Sequence, residues 1–189
     1  MDIIDALERS WDLGARVVAG LTPAQLDAAT PCAGWDVRAL VTHLVGGNRV
    51  FAAAIRGVPL DEARKALAGN PLGDDAAAAY ADAAAEVAAA FRGLDGLERP
   101  VTIPFGTVPA AVALHLRIAE ALVHGWDLAR ATGRTVSFPD DVVEQEIAFS
   151  REFLPRVPPD RAPFGPSRPV RDDAAPLDRL VALLGRDPN

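Results

Sequence analysis

Cysteine is nearly absent from this chain: Cys32 stands alone, so no internal disulfide can brace the fold, and a single thiol suits a reducing compartment. Lysine is as scarce. Lys65 is the only one among 19 basic residues, against 26 acidic ones, and the net charge of −7 leaves no basic patch for nucleic acid or an anionic membrane surface. No apolar run reaches the length of a membrane span. Asp2, Asp5 and Glu8 sit where a signal peptide needs positive charge. There is no Gly-rich phosphate loop and no serine-centred nucleophile motif. What remains is an ordinary globular balance, 50% hydrophobic and 24% charged, over 189 residues. That length suits one well-buried domain, 1–189, expected to be soluble and cytoplasmic.

Helical periodicity dominates. Ile4, Leu7, Trp11 and Val18 share one face of a first helix over 3–20. Thr22, Pro23 and Gln25 form a capping-box start for a short second element, followed by the turn-rich TPCAGWD. Asp36 caps a long helix, VRALVTHLVGGNRVFAAAIRG, that contains His43. Residues 58–73 read as a loop, and DDAAAAYADAAAEVAAAFRGL as an Ala-rich helix with acidic residues in its first turn. RPVTIPFGTVP is β-prone but short, enough for one strand pair in a crossover. A long apolar helix follows from Pro109 to about Thr132, closed by Gly133, and another runs from about 139–141 to Leu154. Residues 155–176 are irregular and rich in proline and arginine, and APLDRLVALLG is a short terminal helix. The expected class is all-α: a helical bundle with additional short helices and one long crossover.

The helix around AEALVHGWDLARATG carries the chemistry. At about 100° per residue, Arg117, Glu120, His124 and Asp127 fall within about 80° of one another, while apolar residues occupy the other sides. Glu120 and His124, four apart, lie one above the other and can grip one ion, although such a pair is also common as a solvated contact. The chain has three histidines. His115 lies about half a turn away from His124, which leaves His43, on a different helix, to complete the set. Two imidazoles and a carboxylate suit zinc with an open fourth position, with nickel or iron(II) as alternatives. Asp127 is placed as a partner that orients His124 or Arg117. Gly46 and Gly47 serve either close helix packing or a ligand's approach to the backbone. Cys32 could be activated by a helix N-terminus, but with no histidine near it in sequence it reads as a buried structural thiol. Trp35 and Trp126 are core or pocket wall.

TPCAGWDVRALVTHLVGG, EALVHGWDLARATGR and the tail FGPSRPVRDDAAPLDRLVALLGRDP together resemble the DinB-like metalloenzyme superfamily, in the actinobacterial branch related to the N-terminal domain of mycothiol-dependent maleylpyruvate isomerase. The resemblance spans almost the whole chain. It implies a DinB-like four-helix bundle with a metal held between helices by His43, Glu120 and His124, and mycothiol as co-substrate. The arginine-for-lysine bias is that of a GC-rich genome and is compatible with a mycothiol-making host. The isomerase carries a second, α/β domain, whereas only about thirty residues follow the fifth long helix here, so a substrate other than maleylpyruvate is expected.

Two functional readings follow. In the first, a bound divalent metal activates a low-molecular-weight thiol for attack on a small electrophilic substrate, a transferase- or isomerase-like reaction, with Arg117 meeting an anion and Asp127 holding His124. In the second, the bundle is a non-catalytic binding or regulatory module whose polar stripe is paired internally. Metal-dependent hydrolysis would need only the same ligands. A homodimer through bundle faces is a reasonable assembly for either.

Overall fold

The computed structural model describes residues 2–65, 67–158, 162–171 and 173–188. Seven α-helices and one antiparallel strand pair are present among them: α1 Ile3–Ala19, α2 Val37–Ile55, α3 Leu60–Lys65, α4 Ala76–Arg92, β1 Pro100–Ile103, β2 Gly106–Pro109, α5 Ala110–Thr132, α6 Asp140–Phe153 and α7 Pro176–Leu183. The sequence reading takes 1–189 as one domain; the packing gathers into two compact units, Met1–Val136 and Ser137–Asn189.

The first unit is the four-helix bundle expected from the sequence. α1 packs on α4 and α5, and α2 packs on the same two, so α5 has a helix on either side and the hairpin against it as well. Its burial follows: 17 of its residues, from Ala110 to Ala129, are buried. A helix enclosed in this way must be apolar nearly all round. α4 approaches α1 and α2 closely because Ala79, Ala83, Ala88 and Ala90 put little bulk at the contact, while Tyr80, Val87 and Phe91 fill the space between.

The helix starts are built from local chemistry. Asp2, Asp36 and Asp75 accept from backbone N–H groups of the first turns of α1, α2 and α4. Thr22 N donates to Gln25 Oε1 at 3.0 Å, which begins the 3-10 turn Pro23–Asp27. α5 stops at Gly133, whose φ of 67° is the left-handed cap that glycine adopts without strain. The strand pair runs in register from Pro100 opposite Pro109 to Ile103 opposite Gly106, turning at Pro104–Phe105. Val101 and Ile103 point inward, and β1 packs on α2 and α5.

One difference from the sequence reading lies in 58–73, where α3 replaces part of the expected loop. Asp61 and Glu62 in its first turn and Arg64 and Lys65 in its last complement the helix dipole, but six residues are too few to show a period.

In the second unit α6 packs on α7, burying Val142, Val143 and Ile147 from one and Leu180, Val181 and Ala182 from the other. Arg179 of α7 pairs with Glu144 of α6. Between the two helices the chain is irregular beyond the 3-10 turn Leu154–Arg156, as expected of 155–176; residues 159–161 and 172 of that stretch lie outside the described residues. Gly185, at φ 89°, approaches Gly165 so closely that a Cβ there would stand 2.9 Å from the Gly165 backbone.

Candidate metal centre between α2 and α5

α2 presents His43, and α5 presents Glu120 and His124 one turn apart. Both imidazole Nε2 atoms face the same carboxylate oxygen: His43 Nε2 lies 2.9 Å and His124 Nε2 3.3 Å from Glu120 Oε2. The three ligand atoms all lie within 4.8 Å of one another. Glu120 and His124 are buried, at 6% and 4% exposure, whereas the His43 side chain keeps 35% of its surface in solvent. The cluster is therefore closed on the α5 side and open on the α2 side. An open side matches a site with three protein ligands and a fourth position for something else.

The other two residues of the stripe sit behind this cluster. Asp127, fully buried, accepts from His124 Nδ1 at 2.9 Å. Arg117, 2% exposed, turns inward. Its Nε donates to Asn48 Oδ1 at 3.0 Å, its Nη1 stands 3.8 Å from Glu120 Oε2, and its Cζ lies 5.1 Å and 4.9 Å from the ring centres of Trp11 and Phe51. Stacking between aromatic faces compensates a desolvated cation. Gly47 makes the approach possible: a Cβ there would lie 3.1 Å from Arg117 Nη1. Of the two uses the sequence allows for Gly47, the geometry realises close packing. Arg117 Nη2 and Asn48 Nδ2 are buried with no hydrogen-bond partner among the described residues.

The electrostatics follow from this enclosure. Burial alone would raise the Glu120 carboxyl, but His124, His43 and Arg117 together hold it well below its ordinary value. Burial likewise works against charge on His124, and the carboxylates on either side, with the Cys32 thiol, outweigh it and raise the imidazole well above its ordinary value. Both shifts favour positive charge on the His124 ring where it lies between Glu120 and Asp127. A divalent ion held by His43, Glu120 and His124 would supply the positive charge that the two carboxylates favour at this ring. The donor set fits such an ion: two nitrogens and one oxygen, with the outer imidazole nitrogen of His124 already anchored.

The turn before α2 supplies what sequence reasoning missed. Thr30 N donates to Trp35 O at 3.1 Å, Trp35 N donates to Cys32 O at 3.0 Å, and Gly34 takes a φ of 81° to close the loop. Trp35 then lies over the cluster, its ring centre 4.7 Å from that of His43 and 6.3 Å from that of His124. The ring, which the sequence reads as core or pocket wall, is half-buried. Cys32 is half-buried as well, with Sγ 3.9 Å from His124 Nδ1 and 3.5 Å from Asp127 Oδ2. The thiol read as structural because no histidine is near it in sequence stands beside one from a helix 92 residues away. The available signal was position: TPCAGWD adjoins the cap of the helix that carries His43. His115 belongs to neither group of candidate ligands found among the described residues, in agreement with its exclusion by helical phase.

Comparisons with known proteins bear on the same part of the chain. The family model described as "Mycothiol maleylpyruvate isomerase N-terminal domain" matches residues 7–129, which include the four residues of the stripe and their partner His43. Uncharacterized proteins from two strains of Mycobacterium tuberculosis are 31% identical over 190 residues, covering 98% of this chain and 98% of theirs. The crystal structure of the mycothiol-dependent maleylpyruvate isomerase superposes with a TM-score of 0.62 at 19% identity, over 82% of this chain and 71% of that one. A point mutant of that enzyme gives 0.64 at 18%. At such identities the solved structures establish the fold alone, and the family match goes further: the chain belongs to the mycothiol maleylpyruvate isomerase N-terminal domain family.

Proposed function

We propose that this protein is a thiol-dependent metalloenzyme in which His43, Glu120 and His124 hold a divalent metal, zinc first with nickel or iron(II) as alternatives. Mycothiol is the low-molecular-weight thiol that the family description and the solved relative's name suggest as co-substrate. One observation carries the reading: two imidazole nitrogens from different helices converge on a single buried carboxylate oxygen, with solvent reaching the cluster past His43. A bound divalent ion supplies Lewis acidity and lowers the proton affinity of a coordinated thiol. The residues around it set geometry. Asp127 fixes the His124 tautomer by accepting from Nδ1, so that Nε2 presents its lone pair inward. Arg117, too deeply enclosed to meet a substrate, acts through Glu120: its charge holds that carboxylate ionised and, with Asn48, steady. Trp35 walls the open side and limits water there. The transferring electrophile is a small molecule, and the proposal takes 1–189 as one functional domain with its chemistry wholly within 1–136.

The test is metal analysis of the purified full chain, followed by thiol consumption with reactive electrophiles. His124→Ala is expected to lose both metal and thiol consumption; full activity in that variant sinks the mechanism. The internal pairing of Arg117 with Glu120 and of His124 with Asp127 supports a second reading, a metal-free binding module. That reading predicts no stoichiometric metal after expression with zinc or nickel, and no effect of chelator on melting.

A further inference from the structure

We propose a second metal position on the opposite edge of the His124 ring, formed by Cys32, His124 and Asp127, that takes thiophilic ions and excludes occupancy of the first. The imidazole has two faces toward ligands. Nε2 looks to Glu120, while Nδ1 looks to Asp127 Oδ2 at 2.9 Å and to Cys32 Sγ at 3.9 Å, with Sγ and Oδ2 3.5 Å apart. These three ligand atoms all lie within 4.8 Å of one another. Zinc–ligand bond lengths near 2.0–2.3 Å imply tetrahedral edges of about 3.3–3.6 Å. The two edges to sulfur are close to that. The nitrogen–oxygen edge is short because a hydrogen bond spans it, and it opens by a few tenths of an ångström when an ion takes the place of the proton.

The donor set gives the selectivity. A thiolate with one nitrogen and one oxygen is softer than two imidazoles and a carboxylate, so cadmium, mercury or copper(I) favour the Cys32 side and harder ions the His43 side. Access is provided by the turn: His124 and Asp127 are buried, but Cys32 is half-buried and Ala33 and Gly34 beside it are exposed. An ion entering here takes the place of the thiol proton and occupies the lone pair of Nδ1. A neutral ring bound through Nδ1 carries its one proton on Nε2, which faces Glu120 Oε2 and then has no lone pair for the first site. One neutral ring serves one ion at a time. A thiophilic ion at Cys32 also takes Asp127 away from its anchoring role, so it acts as an inhibitor of the chemistry proposed above. The exclusion, though not the Cys32 site itself, rests on that functional reading.

The test titrates cadmium into the full chain and follows thiolate-to-metal charge-transfer absorption in the ultraviolet, with Cys32→Ser and His43→Ala alongside. One cadmium per chain with a thiolate band is expected for the wild type. Cys32→Ser should lose the band and bind cadmium more weakly, by at least the roughly 10–100-fold that loss of an outer-shell partner costs. His43→Ala, which spares all three proposed ligands, should keep the band. Preloaded zinc should raise the cadmium concentration needed to produce it. Absence of a band in the wild type, or a Cys32→Ser variant that binds cadmium as the wild type does, overturns the site. A cadmium band that appears while zinc stays bound overturns the exclusion. Zinc retained undiminished by His43→Ala overturns instead the three-ligand centre of the proposed function, and leaves the Cys32 site standing.

Discussion

Replacing Asp127 with alanine tests the arrangement at its deepest point. Asp127 is fully buried, and its Oδ2 accepts from His124 Nδ1 at 2.9 Å. In the variant nothing selects the tautomer that presents Nε2 to the ion, and the ring gains freedom to tilt into the space left behind. Loss of such an outer-shell partner weakens metal binding by roughly 10–100-fold, which is about 1.4–2.7 kcal/mol. Linkage makes this visible in melting. Zinc at about 100 times its dissociation constant stabilises the wild type by about 2.7 kcal/mol, and after a hundredfold loss the same zinc concentration contributes only about 0.4. For a chain of this size about 2–4 °C accompanies each kcal/mol, so a zinc-induced shift of roughly 5–11 °C should shrink to about 1–2 °C. Competition against a chromophoric chelator gives the affinity directly. Asp127→Asn, which retains an acceptor oxygen but no charge, should fall between wild type and alanine. An alanine variant that takes up zinc with wild-type affinity would refute the anchoring role of Asp127, and with it the account of why the helix carries an acid at this position.

Further outcomes follow from other parts of the first unit. In the metal-free chain the raised His124 contributes stability that is full below its ordinary value of 6.5 and is lost as pH rises through its higher folded value. The lowered Glu120 contributes stability that is present above 4.5 and is lost as pH falls through its folded value. Denaturant melts should therefore find a plateau between 4.5 and 6.5 that declines toward alkaline pH, the range in which zinc affinity rises because the ion competes with the His124 proton. A metal-free chain whose stability climbs above 6.5 would contradict the upward shift of His124 between its two carboxylates. Trp35, tilted against His43 and stacked on His124, should lose fluorescence when nickel or cobalt is bound, and Trp35→Phe should remove that quenchable fraction while Trp11 and Trp126 continue to emit. Gly14→Ala drives a methyl into the Tyr80 hydroxyl and should cost about 1–3 kcal/mol in urea melts. Tyr80→Phe removes a buried hydroxyl that has no partner among the described residues, so it should be near neutral alone and restore most of the loss in the double variant.

How much of this was legible beforehand depends on whether periodicity or long-range packing decides each feature. The stripe on α5 could be read because 100° per residue places Arg117, Glu120, His124 and Asp127 on one side of any straight helix, whatever surrounds it. His43 could be joined to them because histidine is scarce, so elimination did the work that geometry could not. The bundle and the hairpin at 100–109 followed from helix lengths, caps and a β-prone run. Direction along the stripe could not be read. Phase puts Arg117 beside Glu120, yet whether its guanidinium reaches outward to an anion or inward to Asn48 is decided by Trp11 on α1 and by Gly47 and Phe51 on α2, residues that share no period with it. The turn at 30–36 was equally closed to prediction. Its hydrogen bonds aim Cys32 at one edge of His124 and set Trp35 over the ring, and a turn has no repeat from which such aim can be inferred. A helix thus announces which residues it groups, Glu120 and Asp127 with His124 among them, whereas the imidazole and the thiol that meet the same ring come from two other segments, α2 and the turn before it. The two-sidedness of that single ring, which follows from their packing, is what makes one histidine the control point for both proposed ions.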